Sequence, residues 1–357
     1  MPALDGARRI LVIRHRAGGD LILATPALRA LRSALPATRI EVLTARGLSE
    51  ILEGNPDVDR VLDFDPRSLA SQAALYARLA LGGYDAVLDL ISNPWSAAMS
   101  ALTRARIRLG YDLAGRRWAY TLALPREPIG PDGRPILRYA SEAALDFVRA
   151  LGIAPRGVGL TFHVCDAAVE AVDRWMSASG VDREKPLIAC LPAGSWPAKT
   201  WLPDRFAAVM DALAPEGTVV WMWGPGERAD AEACRARMRA PSLLAPPTGW
   251  QELGALLARC ALWIGNDSGP KHVAVALGVP TVTIFGPTNP ATWQPPDGPH
   301  TVIEVDGLDC LHCNANTCPL PGERHMRCMR DLPAERVISA ARTLLRGAAR
   351  EAPCASR

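Results

Sequence analysis

The chain has 357 residues, 49% of them hydrophobic, and a formal charge of +3. That length exceeds one ordinary hydrophobic core and calls for two domains of roughly 150–180 residues. The small charge, with arginines scattered over many segments, argues against a nucleic-acid partner, and no apolar run approaches the roughly 20 residues that a membrane span needs.

Residues 1–9 lack a signal-peptide apolar region, which predicts a cytoplasmic protein. Short apolar strands then alternate with amphipathic helices. The first half predicts strands at 10–13, 40–43, 61–64, 86–90 and 107–109, with helices at 21–35, 48–52 and 138–151. A second series follows Gly157-Val158-Gly159, with strands at 187–191, 219–223, 262–265 and 281–285. Its helices are expected at 167–179, 204–213, 229–239, 251–258 and 270–277. This alternation predicts an α/β protein of two domains, 1–164 and 165–357, whose parallel sheets face a central cleft. Open α/β sheets bind ligands beyond the carboxyl ends of their strands, so residue type in those loops should answer to function.

The first such loop is Arg14-His15-Arg16-Ala17-Gly18-Gly19-Asp20. The glycines allow a tight turn, and Asp20 is either a helix cap or a carboxylate that takes a proton from an attacking hydroxyl. The loop 192–201 presents Lys199 between small residues and two tryptophans. There an ammonium can neutralise a diphosphate leaving group, or simply lie along the surface. In Gly224-Pro225-Gly226-Glu227 the acid is placed to accept hydrogen bonds from a ribose diol. Asn266-Asp267-Ser268-Gly269-Pro270 opens a helix: Asp267 or Ser268 can cap it, Gly269 lets the backbone come close, and free N–H groups face an anion. His272 lies one turn further, either facing the same phosphates or satisfied in the core.

Arg104, Arg106, Arg108, Arg116 and Arg117 form a local cluster that can receive phosphates or carboxylates of an anionic partner, or be a solvated face. Nine cysteines in a reducing compartment do not make a disulfide scaffold. Four of them, Cys310, Cys313, Cys318 and Cys328, are gathered with His312 and His325 nearby, which fits a tetrahedral zinc site, reduced thiols or disulfides.

Taken together, four segments resemble glycosyltransferase family 9, the heptosyltransferases of lipopolysaccharide core assembly. They are Ile10 through Asp20 with Thr25-Pro26; Pro192-Ala193-Gly194-Ser195 through Trp201; Gly265-Asn266-Asp267-Ser268-Gly269 with His272 and Ala274; and Phe285-Gly286-Pro287-Thr288. They stand in family order across almost the whole chain, with Asn55-Pro56-Asp57-Val58-Asp59 as a lesser match. The resemblance implies a GT-B fold of two Rossmann-like domains, the first holding the acceptor and the second the nucleotide sugar. It also implies an inverting transferase that needs no metal or other cofactor for catalysis.

By the same resemblance Asp20 is the general base, Lys199 the phosphate-binding lysine and Glu227 the ribose-binding acid. Asp267, Ser268, Gly269 and His272 belong to the diphosphate loop, Ser195 to the donor contacts, and the cysteine cluster to a structural role, with zinc as its candidate metal. Arg16 stands where the family usually has a small residue, and with Arg104, Arg106 and Arg116 it is expected to meet an anionic acceptor. The expected reaction moves a heptose from ADP-heptose to a lipid-linked acceptor of the lipopolysaccharide core, with the enzyme peripheral at the inner membrane. Two alternatives remain open: another nucleotide sugar or surface-glycan acceptor, or a nucleotide-sugar-binding protein without turnover. A dinucleotide oxidoreductase is opposed by the absence of GxGxxG in the 14–20 loop.

Overall fold

The computed structural model describes Leu4 and residues 6–351. It divides into two compact units, Met1–His163 and Val164–Arg357. The first contains a six-stranded sheet built from β1 (Arg9–Ile13), β2 (Arg39–Ala45), β3 (Arg60–Phe64), β4 (Ala86–Asp89), β5 (Ile107–Tyr111) and β6 (Leu122–Leu124). All pairings are parallel, in the order β3-β2-β1-β4-β5-β6. The chain works outward from β1 to β3 and then crosses to the other side at β4, so the switch point lies between β1 and β4. Helices cover both faces of such a sheet, which is why the central strand Ile10-Leu11-Val12-Ile13 is apolar without alternation and wholly buried.

The helix expected at 21–35 is two helices, Gly18–Leu23 and Thr25–Ala34. Pro26 has no N–H and can only begin a helix, while Thr25 Oγ donates to the Ile22 carbonyl at 2.7 Å and closes the preceding turn. Two helices escaped the periodicity reading, Leu69–Leu81 and Pro94–Leu102. The second starts at a reciprocal capping box: Asn93 Oδ1 accepts from the Ser96 N–H and Ser96 Oγ accepts from the Asn93 N–H. At the amino end of the sheet, buried Glu41 is held by the Tyr84 hydroxyl at 2.7 Å and by Arg9 and Arg39 at 3.0 and 2.8 Å. Burial alone raises its pKa, and these partners outweigh that and keep it below the ordinary value.

The second unit repeats the topology. Its strands are β7 (Leu187–Leu191), β8 (Thr218–Trp221), β9 (Leu243–Leu244), β10 (Cys260–Asn266), β11 (Thr281–Ile284) and β12 (His300–Ile303). They are parallel in the order β12-β11-β10-β7-β8-β9, which puts this sheet's switch point between β7 and β10. The core gathers Trp201, Phe206, Met210, Trp221 and Ile264 with Val337 and Ala341 of the last helix, Ala334–Glu351, an element not expected from the sequence. No helix among the described residues is long and apolar enough to cross a membrane.

Gly265 makes the second switch point possible, because it lies opposite Leu191 of β7 under the Trp263 ring. A Cβ there would stand 2.6 Å from the Leu191 carbonyl oxygen and 2.7 Å from the indole. Gly265→Ala is therefore expected to cost about 1–3 kcal/mol, the usual cost of overpacking, read as a lowered midpoint in denaturant unfolding.

Candidate active site

In the second unit the loops after β7 and β10 are joined across the switch point by Asn266, which is fully buried. Its Nδ2 donates to the Pro192 carbonyl at 2.6 Å and its Oδ1 accepts from the Trp201 N–H at 3.2 Å, fixing both ends of the loop that carries Lys199. Within that loop a short turn, Pro197–Lys199, lays the Lys199 ammonium over the Trp196 ring at 4.3 Å. Lys199 is thus mostly buried and aimed inward, which removes the surface reading.

Asp267, one of the two residues expected to cap the helix, does not cap it. Its Oδ2 accepts from Lys199 Nζ at 3.1 Å and from the Thr288 hydroxyl at 2.9 Å, and its Oδ1 accepts from Lys271 Nζ at 2.6 Å. Burial alone would raise its pKa, yet Lys271 and Lys199 drive it far below the ordinary aspartate range. The helix Gly269–Ala276 consequently begins without a side-chain cap; Ser268 holds the cap position in extended backbone, and its buried hydroxyl has no partner. An open helix amino end beside an ammonium is a ready anion site.

His272 is buried, and burial followed by the charge of Lys271 keeps its imidazole neutral to well below the ordinary histidine range. Its Nδ1 has no protein partner, so it is not a fully satisfied core histidine. Glu227 follows β8 and folds back so that Oε2 accepts from the Gly224 N–H at 3.0 Å; burial raises its pKa. Ser195 is exposed. Lys271 is the residue missed by sequence reasoning. Its four-residue spacing from Asp267 on a helix start was the available signal.

The cysteine-bearing loop clamps this site. His312 N–H donates to the Gly286 carbonyl and Asn314 N–H to the Pro287 carbonyl, next to Thr288, while the Asn316 carbonyl accepts from the Ala198 N–H. Cys310, Cys313, Cys318 and Cys328 are free thiols, and Cys354 lies outside the described residues. Burial, followed by the three neighbouring cysteines, pushes the Cys328 thiol up to about 11. Among the described residues no group of three or more His, Cys, Asp or Glu side chains is arranged to hold a metal ion, so the structure gives the zinc expectation no support. The nearby histidines are committed elsewhere, His312 to Glu304 at 2.9 Å and His325 to the Leu320 carbonyl at 3.1 Å.

In the first unit Asp20 is not a helix cap. Ala17 holds that position with a left-handed φ of 61°, and Asp20 lies in the first turn. Its Oδ2 meets Arg14 at 2.5 Å, while Arg14 also donates to the Leu90 carbonyl at 2.7 Å across the switch point. The loop bearing Leu90 is itself fixed by Asp89, whose carboxylate accepts from the N–H groups of Ile91 and Ser92 and from the Tyr120 hydroxyl. Beside it, His15 Nε2 lies 3.3 Å from Asn93 Nδ2 and meets the edge of Trp95, which stacks on Phe64. Burial, then Arg16 and Arg14, lowers the His15 pKa to about 4.

The arginine cluster is split by the sheet. Arg16 is exposed on the first loop, and Arg116 follows β5, both on the carboxyl side. Arg104 and Arg106 precede β5 at its amino end, away from Asp20, and Arg108 is spent on the carbonyls of Ala105 and Ala119.

Removing the shared carboxylate is the severe test of the second site. Asp267→Asn leaves Lys271 buried without its counter-charge and is expected to cost about 3–5 kcal/mol in denaturant unfolding. Because the folded-state pKa of Asp267 is depressed, its contribution is complete above the unfolded value and fades as pH falls below 3.8, so wild type and variant should converge in acid.

The comparisons with known proteins bear on family and fold. Residues 72–323 match the model of glycosyltransferase family 9 (heptosyltransferase). Lipopolysaccharide heptosyltransferase 3 of Escherichia coli K12 is 27% identical over 355 residues, spanning 95% of this chain and 98% of its own. The crystal structure of a glycosyl transferase family 9 protein from Veillonella parvula superposes with a TM-score of 0.82 at 26% identity, covering 95% of this chain and 97% of that one. Escherichia coli heptosyltransferase WaaC, solved with ADP, shares the fold with a TM-score of 0.69 at 20% identity, over 94% of this chain and 99% of that one. The chain has the GT-B fold, and it belongs to glycosyltransferase family 9 (heptosyltransferase), which makes it a glycosyltransferase.

Proposed function

We propose that this enzyme moves a heptose from ADP-heptose to an anionic acceptor of the lipopolysaccharide core, inverting the anomeric centre and using no metal. The observation that carries the reading is the uncapped helix start at Ser268-Gly269 with the Lys199 ammonium beside it, a subsite for a diphosphate. The near full-length match to a lipopolysaccharide heptosyltransferase supports the sugar and acceptor, and the ADP held by a protein of the same fold supports the nucleotide.

In this reading the acceptor hydroxyl gives its proton to Asp20, and its oxygen attacks the anomeric carbon from the face opposite the nucleotide. The bond to the diphosphate breaks as the new bond forms, which inverts the configuration. Charge developing on the departing diphosphate is met by Lys199 and the helix N–H groups, the part a metal ion plays in other transferases. Glu227 takes the ribose diol, while Ser195 and His272 complete the donor contacts. Arg16 and Arg116 receive anionic groups of the acceptor; Arg104 and Arg106 stand at the wrong end of the sheet for that part. The reading puts the enzyme in the cytoplasm, peripheral to the membrane that carries its lipid-linked acceptor.

Asp20→Asn is expected to lower turnover by about 10²–10⁴-fold, the worth of a positioned general base, with ADP affinity unchanged. Unaltered turnover would remove Asp20 from that role. Release of ADP from ADP-heptose should persist in EDTA and exceed that from UDP- or GDP-sugars; a preference for another nucleotide would transfer the function to a different glycan.

A further inference from the structure

Lys271 has no exposed surface, yet it carries an ammonium into the floor of the second unit's site. Its Nζ donates to Asp267 Oδ1 at 2.6 Å and to the Trp293 carbonyl at 2.9 Å, and it lies 4.9 Å from the centre of the Phe285 ring. No ligand can touch it, so whatever it does for the reaction passes through Asp267. The other oxygen of that carboxylate is the one that Lys199 meets at 3.1 Å.

Three charges stand in a row: Lys199, Asp267 and Lys271. With Lys199 and Asp267 alone the pair is neutral, and an approaching anion meets an ammonium already compensated. The second lysine changes the sum to one positive charge, and it comes from a side chain buried below the surface. We infer that Lys271 is a positioning residue that sets the charge offered to the donor: by engaging Asp267 it leaves Lys199 free to act as a net cation toward a diphosphate. This rests on the reading of Lys199 as the diphosphate lysine. The arrangement also explains why a carboxylate is tolerated next to a site meant for an anion. Asp267 orients Lys199, and Lys271 cancels the repulsion Asp267 would otherwise exert.

The test compares ADP with adenosine, which shares the base and ribose and lacks the phosphates, by calorimetry on the intact protein. Lys271→Met should weaken ADP binding by roughly ten- to a hundredfold, the scale of one unit charge acting over several ångströms of protein, and leave adenosine unchanged. The double variant Asp267→Asn/Lys271→Met removes the buried pair as a unit, keeps Lys199 cationic, and should bind ADP more tightly than Lys271→Met alone; the absence of any recovery overturns the charge argument. If Lys271→Met does not fold, Lys271→Gln keeps donors to both oxygens without the charge and carries the same expectation. Equal ADP affinity in variant and wild type, or parallel loss of ADP and adenosine, overturns the inference and leaves Lys271 a packing residue. Lys199→Met separates the two readings: if it binds ADP as wild type does, the diphosphate assignment fails first. If Lys199→Met loses ADP while Lys271→Met does not, only the role of Lys271 fails.

Discussion

One buried carboxylate organises the second unit. Asp267 divides its oxygens between two lysines and a threonine, and those partners come from the loop after β7, the helix after β10 and the loop after β11. Ions cost several kcal/mol each to bury, and only good geometry returns that free energy. The three segments are therefore held to a common point before any ligand arrives. Asn266 ties the backbone of the same loops, and the 308–328 loop braces them from behind through Gly286, Pro287 and Ala198. Charge preorganised in this way needs no further reorganisation when a ligand binds.

The two sheets share one strand order, and each carries an acid paired with a cation at its switch point. The difference lies in burial and in the count of charges. The Asp20 side chain is 26% exposed and meets one arginine, so it stays reachable by a hydroxyl. The Asp267 side chain is 4% exposed and meets two lysines, so the surroundings, not the carboxylate, are what a ligand senses. The two switch points thus present different groups: a partly exposed acid with one arginine after β1, and a buried acid with two lysines after β10.

Much of the architecture was readable because parallel strands buried on both faces are continuous apolar runs, as in 10–13 and 187–191. Elements with weak burial contrast were not: β6 and β9 are short and half-exposed, and the helix Leu69–Leu81 buries only Leu75 and Leu79. Candidate residues could be picked out where loop chemistry is local, as for Lys199 and Asp20, which the structure pairs with Asp267 and Arg14. Long-range pairing could not, because nothing in the sequence says that Thr288 reaches Asp267 or that the cysteine loop lies on the Phe285-Gly286-Pro287-Thr288 turn. The arginine cluster shows a related limit. Nearness along the chain hides the fact that Arg104 and Arg116 flank opposite ends of one strand.

A guanidinium orients a carboxylate only when the guanidinium is itself held in place. The Arg14–Asp20 pair meets this condition by anchoring the arginine independently of the acid. Arg14 donates its side chain to the Leu90 carbonyl and its N–H to the Leu43 carbonyl, and the 90–92 loop is pinned by buried Asp89 and by the Tyr111 N–H bond to Ser92. The frame that presents Asp20 therefore does not depend on the Arg14–Asp20 ion pair itself.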